Sequence, residues 1–136
     1  MEDRYLFKAK RVDDGEWVQG CYIYNIDRDC SESLNKFAHR IQPLYAHAYA
    51  EPIDPTTICQ CTGLNDKNGK LIWANDIVVC RDFTEEKYVI AWKQDEACFE
   101  YQQYGCSIMN FEQLSGCEIE VIGNIFDNYE LLESEE

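Results

Sequence analysis

Residues 60–79 read QCTGLNDKNGKLIWANDIVV and contain the strongest turn signal of the chain, Asn68-Gly69. Asn-Gly with both residues at positive φ forms a tight primed turn, whose twist matches that of two antiparallel strands. We therefore predict a central hairpin, with one strand through residues 64–66 and the return strand over residues 70–73.

A second turn signal, Ala74-Asn75-Asp76, follows the hairpin. It leads into residues 77–79, an Ile-Val-Val run that is typical of a buried strand. We expect the rest of the chain to pack around the hairpin and this strand.

Alternating apolar and polar residues between turn signals recur along most of the chain. They predict strands over residues 5–10, 17–24, 45–50, 56–62, 76–83, 88–92, 97–104 and 118–126. Turns are predicted at residues 13–16 and 84–87, a connection at 51–55, a short strand or helical turn at 109–114, and an acidic tail at 127–136. Gly123 interrupts the last strand, which indicates a bulge or a close backbone contact.

A single short helix is predicted over residues 34–41, where apolar residues recur at helical spacing. Ser31 or Ser33 would cap it, and Pro43 would end it. The many short strands predict a mainly β, barrel-like fold with at most one or two short helices, and an α+β fold is the alternative. The 136 residues suit one domain, or two small β subdomains of about residues 1–55 and 56–136.

The net charge of −14 is concentrated late in the chain, because eleven acids and no base follow Lys93. Such a surface repels phosphate backbones, so we expect no direct nucleic-acid binding. The chain has no apolar run of roughly 20 residues and no apolar segment after its charged N-terminus. These features predict a cytoplasmic protein that does not bind a membrane.

The eight cysteines are an even number, which is compatible with disulfides. Without a signal peptide the compartment is reducing, and free thiols are the favoured interpretation. Cys59 and Cys61 would lie on one face of a strand, either as ligands of a soft metal or as small buried apolar residues. We favour burial.

The run QCTGLNDKNGKLIWANDIV resembles the signature of the YopX family of bacteriophage and prophage proteins, roughly Q-[YF]-T-G-L-x-D-x-N-G-x-x-I-[YF]-x-G-D-I-V. The resemblance extends to residues 7–9, 14–20, 53–58, 121–128 and 130–132, whereas residues 25–50 match nothing in it. Cys61 replaces an aromatic residue, and Asn75 replaces a glycine. Asn tolerates left-handed geometry next best, so the turn should survive.

The resemblance implies a β-rich, phage-encoded protein with no assigned activity and no catalytic, cofactor or metal residues to carry over. Its shared residues serve turns and core. We call the following residues the signature set: Thr62, Gly63, Leu64, Asp66, Asn68, Gly69, Asn75, Asp76, Gly123 and Asn124.

Four alternative sites remain open at this point. Asp66, Asp76 and Asp127 would suit a metal, but turn residues that bind backbone amides are the favoured interpretation. His39 or His47 beside a thiol would suit nucleophilic catalysis. The amides of residues 62–64 and 68–69 would suit an anion. The aromatic residues between 99 and 111 would suit a binding surface, although a core strand is favoured.

We expect a non-enzymatic accessory protein that acts by protein–protein contact and forms a homo-oligomer through exposed strand edges. Two alternatives are an acidic mimic of nucleic acid that occupies a host DNA-binding protein, and a cryptic hydrolase.

Overall fold

The computed structural model describes residues 5–24, 38–44, 49–80, 84–94, 97–103, 106–110 and 119–133. Strands dominate this part of the chain, and the mainly β prediction is confirmed. The strands are β1 Phe7–Lys10, β2 Trp17–Tyr24, β3 His39–Pro43, β4 Glu51–Pro52, β5 Cys59–Asn65, β6 Leu71–Trp73, β7 Asp76–Cys80, β8 Thr84–Lys93, β9 Cys98–Gln103, β10 Cys106–Asn110 and β11 Ile119–Asn124. A 3-10 turn spans Pro55–Thr57, and one α-helix, α1, spans Glu130–Glu133.

The described strands form two antiparallel sheets. The first has the order β4-β3-β2-β1-β5-β6, and the second has the order β10-β9-β8-β7-β11. Each order ends on two different edge strands, so both sheets are open and the barrel-like arrangement is wrong. Closure requires the two edges of a sheet to pair, and β4, an edge of the first sheet, has only two residues, one of which is a proline without an N–H.

The chain divides into two compact units, Met1–Cys61 and Thr62–Glu136. The core of the first consists of Ala9, Val18, Ile41 and Ile53, with Phe7, Tyr22 and Ile58 against it. The core of the second consists of Ile72, Val78, Cys80, Tyr88, Ile90, Tyr101 and Val121, with Phe99 and Ile119 against it. Each unit therefore buries its own apolar residues.

The first hairpin agrees with the sequence prediction. β1 and β2 pair antiparallel, with Ala9 opposite Val18. Gly15 has a φ of 72°, as the Asp-Gly turn predicts. Its turn is closed by the Gly15 N–H, which donates to the Arg11 carbonyl over 3.0 Å.

The central hairpin is present, but its turn differs from the prediction. Gly69 has a φ of 83°, whereas Asn68 is not at positive φ, so the two-residue primed turn is wrong. The Gly69 N–H donates to the Asp66 carbonyl over 3.0 Å, and the Asp66 N–H donates to the Lys70 carbonyl over 2.7 Å. This is a three-residue loop, a tight turn followed by a left-handed glycine.

The helix predicted before Pro43 is wrong over its described part. His39–Pro43 form β3, which pairs with β2, and Ile41 lies opposite Tyr22 in full burial. Ile41 is buried because β3 pairs with a strand on each side, and not because it lies on the apolar face of a helix. Ser31, Ser33 and the start of the predicted helix lie outside the described residues.

Five smaller predictions are corrected. The connection at 51–55 contains β4, and Tyr49 and Ala50, at the end of the strand predicted over 45–50, are not in a strand. The strand predicted from residue 56 begins at Cys59, because Asp54 caps the 3-10 turn and its carboxylate accepts from the Thr56 N–H over 3.0 Å. The turn at 84–87 belongs to β8, which is bulged against β7. The acidic tail contains α1, and its last residues lie outside the described range.

Candidate functional site

The Asp66 carboxylate accepts hydrogen bonds from three backbone amides. Its Oδ1 accepts from the Asn68 N–H over 2.8 Å and from the Lys70 N–H over 2.9 Å. Its Oδ2 accepts from the Val121 N–H over 3.0 Å, 55 residues further along the chain. The side chain is buried. Both carboxylate oxygens are therefore engaged by backbone amides.

The hairpin loop also covers the outer side of β11, an edge strand of the second sheet. The Lys67 N–H donates to the Ile119 carbonyl over 2.8 Å, beside the bond from Val121 to Asp66. The Lys67 ammonium lies 3.9 Å from a carboxylate oxygen of Glu120. An edge strand exposes unpaired backbone groups, and this loop binds two of those on β11.

The surroundings of Asp66 lower its pKa below the ordinary value of 3.8. Burial acts in the opposite direction, because it disfavours the charged form. The three amide hydrogen bonds outweigh burial, and the positive charge of Lys70 adds to their effect. The carboxylate is therefore held in its ionised form by the turn that it organises.

Thr62 fixes the strand that enters the hairpin. Its hydroxyl donates to the Ile72 carbonyl over 2.8 Å and accepts from the Leu64 N–H over 3.2 Å. Gly63, between them, has a φ of 85°. Leu64 is exposed, so its side chain contributes little to the core.

Asn75 and Asp76 shape the turn between β6 and β7. Asn75 has a φ of 74°, which confirms that it adopts the left-handed geometry expected where the family has glycine. Its N–H donates to the Ile90 carbonyl over 2.6 Å, and its carbonyl accepts from Ile125 over 3.1 Å. Asp76 is buried, and its Oδ2 accepts from the Trp73 N–H over 2.8 Å.

Substitutions at Asn75 should follow backbone geometry. We expect Asn75→Gly to change the free energy of unfolding by only a few tenths of a kcal/mol, and Asn75→Ala to lower it by about 1–2 kcal/mol, because alanine is strained in the left-handed region. Urea denaturation of both variants measures the difference. Equal losses in the two variants would contradict this explanation.

Gly123 and Asn124 shape the backbone where β11 ends. The register against β7 shifts between Val121 and Gly123, so the predicted bulge is confirmed. A Cβ on Gly123 would lie 2.6 Å from Oδ1 of Asn128, so the close contact at this glycine is with a side chain and not with backbone. That same oxygen accepts from the Asn124 N–H over 3.1 Å. Asn128 is thus a structural residue outside the signature set, although it lies within the family resemblance.

The Asn124 side chain closes the following turn. Its Oδ1 accepts from the N–H groups of Phe126 and Asp127, each over 2.9 Å. Its Nδ2 donates to Oδ2 of Asp127 over 3.3 Å. The sequence offers a signal for this arrangement, because an Asn at the end of a strand is typical of a turn that its own side chain closes.

The carboxylates proposed as an alternative metal site have separate structural contacts. Asp66 binds loop and β11 amides, Asp76 binds Trp73, and Asp127 binds Asn124. No group of three or more His, Cys, Asp or Glu side chains suited to a metal occurs among the residues that the structure describes. The amides of the hairpin turn, considered for an anion, donate to Asp66.

The proposed thiol chemistry has little support from the described contacts. Cys59 and Cys61 are fully buried, in line with the favoured interpretation, and the Cys59 thiol donates to the Thr57 carbonyl over 3.3 Å. Nδ1 of His39 bonds the Tyr22 hydroxyl rather than a thiol. His47 lies outside the described residues. Cys21, Cys59, Cys61, Cys80 and Cys98 are free thiols.

The aromatic residues of β9 are core residues where their side chains are described. Tyr101 is fully buried and meets Tyr88 edge-on at 6.0 Å between ring centroids. Phe99 packs against the same core and contacts Trp92 at 5.1 Å. The core interpretation is confirmed for these two residues, and the aromatic side chains between 103 and 111 lie outside the described part.

An aromatic cluster that sequence reasoning missed lies on β1, β2 and β3. We define it as Phe7, Tyr22, Tyr24 and His39. The rings of Tyr24 and His39 are 4.6 Å apart, and Phe7 and Tyr22 are 5.8 Å apart. Tyr24 is 55% exposed. Burial is the main cause that raises the pKa of Tyr22, and Tyr24 makes a smaller contribution in the same direction.

Two open antiparallel sheets, with a turn signature whose side chains bind backbone, define a small all-β protein. A family model described as YopX protein matches residues 6–133. The chain therefore belongs to the YopX family. A comparison with curated proteins found no match.

Proposed function

We propose that this protein is a non-enzymatic accessory protein of a phage or prophage, and that it acts in the bacterial cytoplasm by protein–protein contact. The observation that carries the proposal is the use of the signature set. Asp66, Asp76 and Asn124 direct their oxygens to backbone amides of their own unit. A signature used in this way supports a scaffold rather than a reaction centre.

The aromatic cluster is the contact surface that we favour. The Tyr24 ring is exposed yet packs on His39, so it is held before any partner arrives. Aromatic side chains dominate binding energy at interfaces, and those already ordered lose less entropy on binding.

Membrane and nucleic-acid partners fit the protein less well. None of the helices in the described part of the chain has the length and apolar character to cross a membrane. The large negative charge opposes contact with phosphate backbones. The proposed partners are therefore a host or phage protein and a second copy of this chain.

The proposal predicts a specific loss of binding in a capture experiment. Wild-type protein on a resin should retain a bacterial protein, and Tyr24→Ala should weaken that retention about tenfold or more, because truncation of an anchoring aromatic typically costs 2 kcal/mol or more. Tyr49→Ala is the matched control, since Tyr49 is 88% exposed and lies outside the aromatic cluster. Quantitative mass spectrometry of the eluates measures retention.

Two outcomes would contradict this proposal. If no protein is retained above an empty resin and light scattering shows a strict monomer, contact is not the function. If Tyr24→Ala and Tyr49→Ala behave alike, the aromatic cluster is not the surface.

A second candidate function, imitation of nucleic acid, draws support from the distribution of charge. Residues 1–61 contain ten acids and seven bases, a net charge of −3, whereas residues 62–136 contain sixteen acids and five bases, a net charge of −11. In the same capture experiment this candidate predicts a DNA-binding protein that is released by salt and by duplex DNA. Retention unaffected by charge reversal at Glu112, Glu118, Glu120 and Asp127 would exclude it.

A further inference from the structure

Four strands form the edges of the two sheets, namely β4, β6, β10 and β11. An edge strand presents backbone groups that another strand can pair with, and proteins block such edges with proline, charge, short length or a covering loop. The four edges differ in which of these features they have.

Two of the edges are blocked by described contacts. On β11, Asp66 accepts the Val121 N–H, and Lys67 donates to the Ile119 carbonyl. On β4, Pro52 has no N–H, and its carbonyl accepts from Val12 over 3.1 Å. Neither strand presents a continuous row of groups to a second chain.

The third edge, β6, is short and partly engaged. It has three residues, and the Trp73 N–H donates to Asp76. Lys70 immediately precedes it, and a charge at a strand end disfavours pairing with a second strand.

β10 lacks proline and charge, and no loop among the residues that the structure describes covers it. It has five residues, CSIMN. The surrounding residues 101–111 also contain no charged side chain, in a chain with 38 charged residues among 136. Among the described strands, only β9 pairs with β10. A bulge between Ser107 and Met109 limits a further pairing to a few residues.

We propose that β10 pairs antiparallel with β10 of a second copy, which joins two five-stranded sheets into one sheet across a two-fold axis. This inference rests on the proposed homo-oligomer and names its surface. The two-fold axis makes the contact closed, because each copy uses the edge that is unblocked among its described strands. Assembly therefore stops at a dimer.

The lack of charge favours a second copy as the occupant. A two-fold axis brings each side chain near its own counterpart, and like charges directly opposite each other destabilise paired strands. Two chains of net charge −14 repel each other, so association requires a contact region without acids. Residues 101–111 are such a region.

Sedimentation velocity on the full chain across the micromolar range tests the proposal. We expect wild-type protein to convert from 15.9 kDa to twice that mass as concentration rises. Ser107→Lys and Ile108→Lys should each weaken the dimer at least about tenfold. Leu71→Lys, which adds the same charge to β6, is the matched control and should dimerise like wild type.

Hydrogen exchange of wild-type protein keeps the test decisive if a variant fails to fold. Protection of the backbone amides of residues 106–110 should rise with protein concentration, while that of β11 stays constant. A wild-type monomer at every concentration would overturn both this inference and the proposed homo-oligomer. A dimer that persists in both β10 variants, or forms without added protection of β10, would overturn only the inference and leave self-association standing.

Discussion

Asp66→Ala is expected to lower the free energy of unfolding by about 3–5 kcal/mol, one of the two largest single-residue effects that we predict. The substitution removes one buried carboxylate that accepts three amides, from Asn68, Lys70 and Val121. A hydrogen bond to a charged group contributes about 1.5–3 kcal/mol, and a buried donor without an acceptor adds its own penalty. The central hairpin and β11 lose their common bond at the same time.

Urea denaturation followed by circular dichroism measures this loss. Asp54→Ala is the matched control, because Asp54 also accepts a backbone amide but is exposed. Its loss should be about 1 kcal/mol. If Asp66→Ala and Asp54→Ala lower the free energy of unfolding equally, Asp66 is an ordinary turn residue.

The same substitution should change how stability depends on pH. The pKa of Asp66 is lower in the folded chain than its ordinary value of 3.8. Its stabilising contribution is therefore complete above pH 3.8 and is lost as the pH falls through the folded-state pKa. The difference in unfolding free energy between wild type and Asp66→Ala should be constant near neutral pH and shrink below pH 3.8.

Gly20→Ala is the second substitution with a large expected effect, a loss of about 3 kcal/mol. Gly20 lies opposite Pro43 where β2 and β3 pair. An added Cβ would overlap the Gln42 carbonyl oxygen and lie 2.9 Å from Cα of Pro43. These atoms are backbone, so relief requires β3, which carries the core residue Ile41, to move away from β2.

Thermal and urea unfolding of Gly20→Ala should be compared with Gly15→Ala. Gly15 has a φ of 72° but nothing within 4 Å of an added Cβ, so only backbone strain of about 1 kcal/mol applies. A loss at Gly20 no greater than that at Gly15 would show that β3 accommodates a side chain easily.

Local turn chemistry predicted a large part of the fold. Gly15, Asn75 and Gly123 occupy the geometry that their neighbours in sequence indicate. The alternating pattern of residues 17–24 coincides with β2. These features depend on the backbone preferences of a few neighbouring residues, and those preferences can be read from the sequence.

Sequence reasoning failed where partners distant in sequence decide the structure. At residues 39–41, the end of the predicted helix, pairing of β3 with β2 and β4 overrides the helical spacing. The primed turn at Asn68 gives way to a loop organised by the Asp66 carboxylate. The bond from Asp66 to Val121 joins residues 55 positions apart, and no local pattern indicates it.

For several residues of the candidate site, the sequence predicts a structural role but not the partner. The resemblance marked Asp66, Asp76 and Asn124 as structural, whereas their individual partners required the fold. The sequence does not indicate the aromatic cluster, because helical spacing predicts that His39 lies in a helix and not in a strand beside Tyr22 and Tyr24. Once β3 is a strand, Tyr24 lies directly opposite His39.

The claim that the signature set holds backbone together is tested most directly by an NMR titration of the wild-type protein. The amide protons of Asn68, Lys70 and Val121 should shift together as the pH falls, with one common midpoint below 3.8, because a single carboxylate accepts all three. Amide shifts with separate midpoints, or none while the protein stays folded, would contradict the structural role assigned to Asp66.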